Sequence, residues 1–201
     1  VEGAAFRVAI ATFTAKCPGM KGVAAFHDAV NTRTNAELAT WKRDWHTAQT
    51  QYPSPIPGSY ERALHIIVNT RGLTAVAAEG YSYLGGAHGT NFTEYQMVNT
   101  LSGALITQKS MLAEMQAAGG PNWNFERELN RAVGAALPGE QYATITRQAI
   151  SSYPSKDGLR VAVDQCAAYA CAAGVVNATI PWDRLIAPDA DMSFLPNQWG
   201  H

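Results

Sequence analysis

The stretch from Tyr60 to Ile106, YERALHIIVNTRGLTAVAAEGYSYLGGAHGTNFTEYQMVNTLSGALI, decides the fold. Apolar and β-branched residues alternate with polar ones through successive runs, and each run ends in a turn signal. Residues 60–69 place Tyr60, Arg62, Leu64, Ile66 and Val68 on one face, and Asn69-Thr70-Arg71-Gly72 reads as a turn. Residues 73–84 return as a strand. After GGAHG the run NFTEYQMVN alternates again, and TLSG turns the chain into ALITQ. Short turns between alternating runs make an antiparallel meander.

Upstream, FRVAIATF at 6–13 reads as a strand ended by Pro18-Gly19. From Gly22 to Gln49, Phe26, Val30, Leu38, Trp41 and Trp45 recur at helical spacing. The prolines of YPSPIPG then stop the helix and form an extended connector. Downstream, Ser110 is placed to N-cap a short helix over MLAEMQ, which Gly119-Gly120-Pro121 breaks. Asn124 is placed to cap a helix with Phe125, Leu129, Val133 and Leu137 on one face. A polar, partly helical segment is expected up to Ser152, then strands LRVAV and VVNATIPW around QCAAYACAAG, and an irregular tail after Asp183. The expected class is α+β: an antiparallel β-meander with one long N-terminal helix and further helices packed on one face. Residues 1–55 would carry the first strand and long helix, and 56–201 the meander, helices and final hairpin, joined as one compact unit.

Composition narrows the function classes. Fifteen basic and sixteen acidic residues leave a net charge of −1, which argues against a nucleic-acid partner. No apolar run approaches the roughly 20 residues that span a bilayer, and Val1 opens on neither a basic segment nor an apolar one, so no secretion signal is read in the chain. With apolar residues at 47% there is material for a core. Cys17, Cys166 and Cys171 show no CxxC or Cys/His ligand spacing, so neither a metal nor another cofactor is expected. Three thiols allow three single pairings with one left over, or three reduced buried cysteines. A Cys166–Cys171 bridge would need a bend, because an extended segment of that length holds its ends about 16 Å apart.

GYSYL at 80–84 approaches a nucleophile elbow but lacks its second glycine and sits within a strand, so Ser82 is more simply a strand serine. The segment Tyr81–Thr90, YSYLGGAHGT, carries more. Its glycines permit positive φ and close approach, and His88 can bond backbone through one ring nitrogen while presenting the other outward. His88 is therefore read either as a structural staple of the turn or as a binding or catalytic group.

The pattern YxYxGGAHG, followed by an alternating strand and TLSGALIT, resembles a bacterial exported domain family. It is typified by the lysozyme-sensing extracytoplasmic domains of certain anti-sigma factors and a non-catalytic domain of some peptidoglycan deacetylases, with mycobacterial secreted immunogenic proteins as distant relatives. Cys17-Pro18, the helix bearing Asn31, and VAVDQCAAYACAAGVVNATIPWDRL match further parts of the pattern. The chain departs from it at Cys17, Cys166 and Cys171, where the family commonly has tyrosine.

The resemblance implies an exported domain, in the periplasm, at the cell surface or outside the cell, that binds rather than catalyses. Its expected ligand is a C-type lysozyme or a peptidoglycan-related glycan. The binding residues would be Tyr81, Tyr83, Gly85, Gly86, His88 and Gly89, with Glu79 and Glu94 as an acidic patch flanking the turn and Asp183, Asp189 and Asp191 as a second cluster. The relatives turn near Cys166 and Cys171, which implies a disulfide between them with Cys17 free. The alternative is a weak esterase-like hydrolase with His88 as general base and Ser82 or Thr90 as nucleophile.

Overall fold

The computed structural model describes residues 6–10, 21–70, 72–120, 123–139, 143–167 and 171–187. Residues 11–13 of the expected first strand, Cys17, the Pro18-Gly19 turn, Asp189 and Asp191 lie outside the described residues. The fold is α+β, with the meander at its centre. Strands β1 (Phe6–Ile10), β2 (Gly58–Asn69), β3 (Leu73–Tyr83), β4 (Thr90–Asn99) and β5 (Leu105–Ile106) form a sheet in that order. The meander β2 to β5 is antiparallel, but β1 runs parallel to β2, so the sheet is mixed. The parallel pairing follows from connectivity: the long helix α1 (Lys21–Gln51) carries the chain back to the end from which β1 started.

Both faces of the central sheet are covered, which explains why β3 is buried from Leu73 through Ala78 without alternation. Val76 and Val98 face α1, where Phe26 and Val30 close a small core. Further along the same face Trp41 and Trp45 pack on Tyr60, with Leu38, Leu84 and Phe92 around them. Leu73, Ala75 and Met97 point the other way, into the main core shared with α2 (Gln108–Gly119), α3 (Phe125–Ala136), α4 (Trp182–Leu185) and a second sheet. Helices α2 and α3 therefore share one face, and among the described helices α1 takes the opposite one.

The second sheet is antiparallel and orders β6 (Ile150–Ser155), β7 (Gly158–Val163) and β8 (Val176–Ile180). Strands β7 and β8 are the expected hairpin. Strand β6 corrects the reading of the segment up to Ser152 as polar and partly helical: among its described residues Arg147–Ala149 alone form a 3-10 turn, and Ile150, Ser152 and Pro154 alternate inward. Its serines and proline disguise the pattern, and Pro154 is tolerated because β6 is an edge strand.

Two further boundaries differ. Thr107, rather than Ser110, is the N-cap of α2; Ser110 sits at the third helical position and completes a reciprocal capping box with Thr107. A bulge between Ile66 and Val68 breaks the alternation: Ile66 still pairs with Val76 and is 55% exposed, whereas Val68 pairs with Ala75 and packs with Ile67 against the main core. Asn124 caps α3 as expected, accepting from the Arg127 N–H at 2.9 Å. The Cys166–Cys171 disulfide is present, across a bend with the Cα atoms 4.4 Å apart. No helix among the described residues is long and apolar enough to cross a membrane.

Candidate binding face

The loop between β3 and β4 is held from inside and presents its tip outward. Gly85 and Gly86 take φ of 113° and 100°, a region L side chains rarely adopt. Tyr83 is buried and donates its hydroxyl to the Gly86 carbonyl at 3.0 Å. Gly89 is buried against the Tyr81 ring, and a Cβ there would run into that ring. Ala87 and His88, between these anchors, are exposed.

His88 is therefore not the staple of the turn. Its Nδ1–H donates to the adjacent Gly89 carbonyl at 3.2 Å, a contact within its own backbone, and the two tyrosines and Gln49 hold the loop instead. Among the described residues His88 bonds neither Ser82 nor Thr90 and no carboxylate. Ser82 lies on the α1 side of β3, in a shallow groove of about 350 Å³ with Arg33, Thr40, Trp41, Asp44 and Leu84. Thr90 is its register partner across β3 and β4.

The residue that joins this loop to the rest of the surface was missed in the sequence. Gln49, near the end of α1, is 2% exposed. Its amide Nε2 donates to the Leu84 carbonyl at 3.4 Å, and its Oε1 accepts the Ser54 N–H at 3.0 Å. One buried carboxamide thus ties the proline connector to the start of the glycine loop. The connector leaves Tyr52 78% and Ile56 57% exposed, so the segment tied to the loop through Gln49 carries two exposed apolar side chains. An apolar Tyr and Ile inside a Pro-rich connector were the available signal, since a connector needs neither for its turn.

Glu79 and Glu94 do not form one patch. Glu79 pairs with Thr93, and Glu94 with Ala78, so the two carboxylates leave opposite faces of the sheet. Glu79 lies 3.9 Å from His65 Nε2. Glu94 is in an ion network beneath α1: Arg62, whose side chain is fully buried, bonds Glu37 and reaches Glu94 at 3.4 Å, while Arg33 bridges Glu37 at 2.7 Å and Glu94 at 3.1 Å. Burial and the facing Glu94 carboxylate push Glu37 above the usual carboxylate range. Burial pushes on Glu94 as well, but the charge of Arg33 and hydrogen bonding from Glu37 and Arg33 outweigh it and carry Glu94 below that range. Two cations cancel two anions here, so Glu94 offers no free charge to a ligand. Asp183 is exposed in the first turn of α4, on a separate element.

A second groove of about 530 Å³ and mixed character runs along the outer side of β4, with Arg33, Gln96, Gln108, Met97, Ile106 and Ile150 among its walls. The described residues contain no group of three His, Cys, Asp or Glu side chains placed to hold a metal ion.

No family model and no curated protein matches the chain. Among solved structures, a DUF3298 family protein from Pseudomonas aeruginosa PAO1 is 14% identical, with 70% of this chain covering 68% of that one at a TM-score of 0.48. A member of the same family from Bacteroides fragilis NCTC 9343 is 15% identical, with 81% of this chain covering 70% of that one at a TM-score of 0.43.

Proposed function

We propose that this chain is an exported, non-enzymatic binding domain of the bacterial envelope, and that its ligand face is the β3–β4 loop together with the proline connector. The observation that carries the reading is the buried Gln49 carboxamide, which hydrogen-bonds both exposed segments and so links them. A loop fixed before contact loses little conformational entropy on binding, and Tyr52 and Ile56 supply apolar area beside it. The disulfide fits an oxidising compartment, where such bonds persist. Unlike the acidic patch expected from the sequence, this face works through shape and apolar contact, because Glu94 is neutralised and the net charge is −1.

The ligand suggested by the resemblance is a C-type lysozyme, with a peptidoglycan-related glycan as the other candidate. Calorimetric titration with a C-type lysozyme and, separately, with N-acetylglucosamine oligomers tests both. A saturable heat with lysozyme at low and physiological salt supports the first. Heat only with the oligomers assigns the glycan, and no heat with either at high micromolar concentration removes both.

A further inference from the structure

Strand β5 pairs only with Met97 and Val98, so β4 has no neighbouring strand on its outer side from Thr90 to Gln96 among the described residues. Alternate residues of β4 send their N–H groups to that side; Asn99 does so toward the Ala104 carbonyl at 2.9 Å, and Asn91, Thr93 and Tyr95 share its parity. An open edge of this kind is a template for pairing with another chain, and folded proteins block it. Here side chains block it. The Asn91 N–H donates to Gln165 Oε1 at 2.7 Å, the Thr93 N–H to the Asp164 carboxylate, and the Tyr95 N–H to Ser151 Oγ at 2.7 Å.

Two of those three acceptors immediately precede Cys166. Gln165 is held in place by its other end, since its Nε2 donates to the Cys171 carbonyl at 2.7 Å. Its Oε1 also accepts from the Asn91 side chain at 2.9 Å. Cys166 has φ of 67°, a backbone conformation that a non-glycine residue keeps only when its surroundings hold it. The disulfide to Cys171 supplies that hold, and Cys166 is exposed to solvent.

We propose that the Cys166–Cys171 disulfide is a redox-sensitive latch on the open edge of β4, and that its reduction by a dithiol uncaps the Asn91 and Thr93 N–H groups beside the glycine loop. One thiolate of the dithiol attacks a disulfide sulfur, the Cys166–Cys171 bond breaks, and a mixed disulfide forms. The second thiol then closes the oxidised cyclic disulfide, and two electrons and two protons pass to the cysteines, which leave as thiols. Cys166 is released from its left-handed turn, Gln165 loses its orientation by Cys171, and the stem lets go of β4. The inference stands on the edge contacts and does not depend on the ligand proposed above.

Amide hydrogen exchange on the oxidised protein, on the same protein in dithiothreitol, and on the Cys166→Ser/Cys171→Ser double variant tests the latch. Exchange at Asn91 and Thr93 should quicken by about tenfold or more on reduction, a local opening, while Leu129 and Val133 in α3 keep their rates. Gln165→Ala, with the disulfide intact, should quicken Asn91 and leave Thr93 unchanged, and it serves even where the double variant fails to fold. Unchanged rates at Asn91 and Thr93 after reduction would overturn the proposal. So would a uniform rise that includes α3, because the disulfide would then brace the whole fold.

Discussion

Replacing Arg62 by alanine removes the buried cation of the network beneath α1. The guanidinium is fully buried between α1 and the central sheet, bonds Glu37 and Glu94, and lies 5.9 Å from the centre of the Phe92 ring. Its removal leaves two carboxylates crowded together with only Arg33 to compensate them. Breaking one partner out of a wholly buried ion pair costs about 3–5 kcal/mol. Both glutamates keep 27% of their side-chain surface in water and Arg33 still bridges them, so the lower end applies, about 3 kcal/mol. For a chain of this size that is a fall of roughly 6–12 °C in the unfolding midpoint. Urea unfolding of wild type and Arg62→Ala measures it. Combining Arg62→Met with Glu37→Gln and Glu94→Gln should recover all but about 1 kcal/mol, because buried charges replaced together by neutral side chains are often harmless and the remaining cation, Arg33, is 54% exposed to water. A loss below about 1 kcal/mol for Arg62→Ala alone, the range of an exposed pair, would refute the buried-network account.

Gly89→Ala drives a methyl group into the Tyr81 ring and should cost about 1–3 kcal/mol, as overpacking does; an unchanged thermal midpoint would contradict the close approach. His88→Ala should alter stability by no more than about 0.5 kcal/mol, since the imidazole is exposed, and a larger loss in denaturant titration would restore it as a staple. Glu126 is held below its ordinary pKa chiefly by the hydrogen bond from Arg147 at 2.7 Å. Its stabilisation is therefore complete above the unfolded carboxylate range and lost as pH falls through the lower folded value. Both side chains are 38% exposed, so Glu126→Gln should cost only about 0.5 kcal/mol at neutral pH, and the gap from wild type should close in acid. A gap that widened in acid would mean the sign is wrong.

The meander was legible because β2, β3 and β4 state their period and their turns locally. What sequence could not show was set at a distance. The parallel partner of β1 depends on where α1 returns the chain, and the burial of β3 on both faces depends on two layers that are remote in sequence. Alternation puts Arg62 on the same face as Tyr60 and Leu64, yet its burial depends on carboxylate partners that come from α1 and β4. Glu79 and Glu94 looked like neighbours across the glycine loop, but the loop sets a register that offsets them and sends them to opposite faces. The GGAHG motif left His88 open between a staple of the turn and a binding group, and the geometry disfavours the staple. Glycine-rich backbone leaves little side chain to bury an imidazole, so the loop is fixed by Tyr81, Tyr83 and Gln49 from flanking elements.

The central claim is that the glycine loop and the proline connector act as one ligand face. Amide chemical-shift mapping during titration with a C-type lysozyme tests it most directly, with Ala87→Arg as the paired variant. The account predicts shifts confined to residues 52–56 and 85–90, saturating together, and an affinity at least about tenfold weaker for Ala87→Arg at unchanged stability, as expected when a charged side chain blocks a contact surface. Binding whose shifts map elsewhere, or that Ala87→Arg leaves intact, would contradict it.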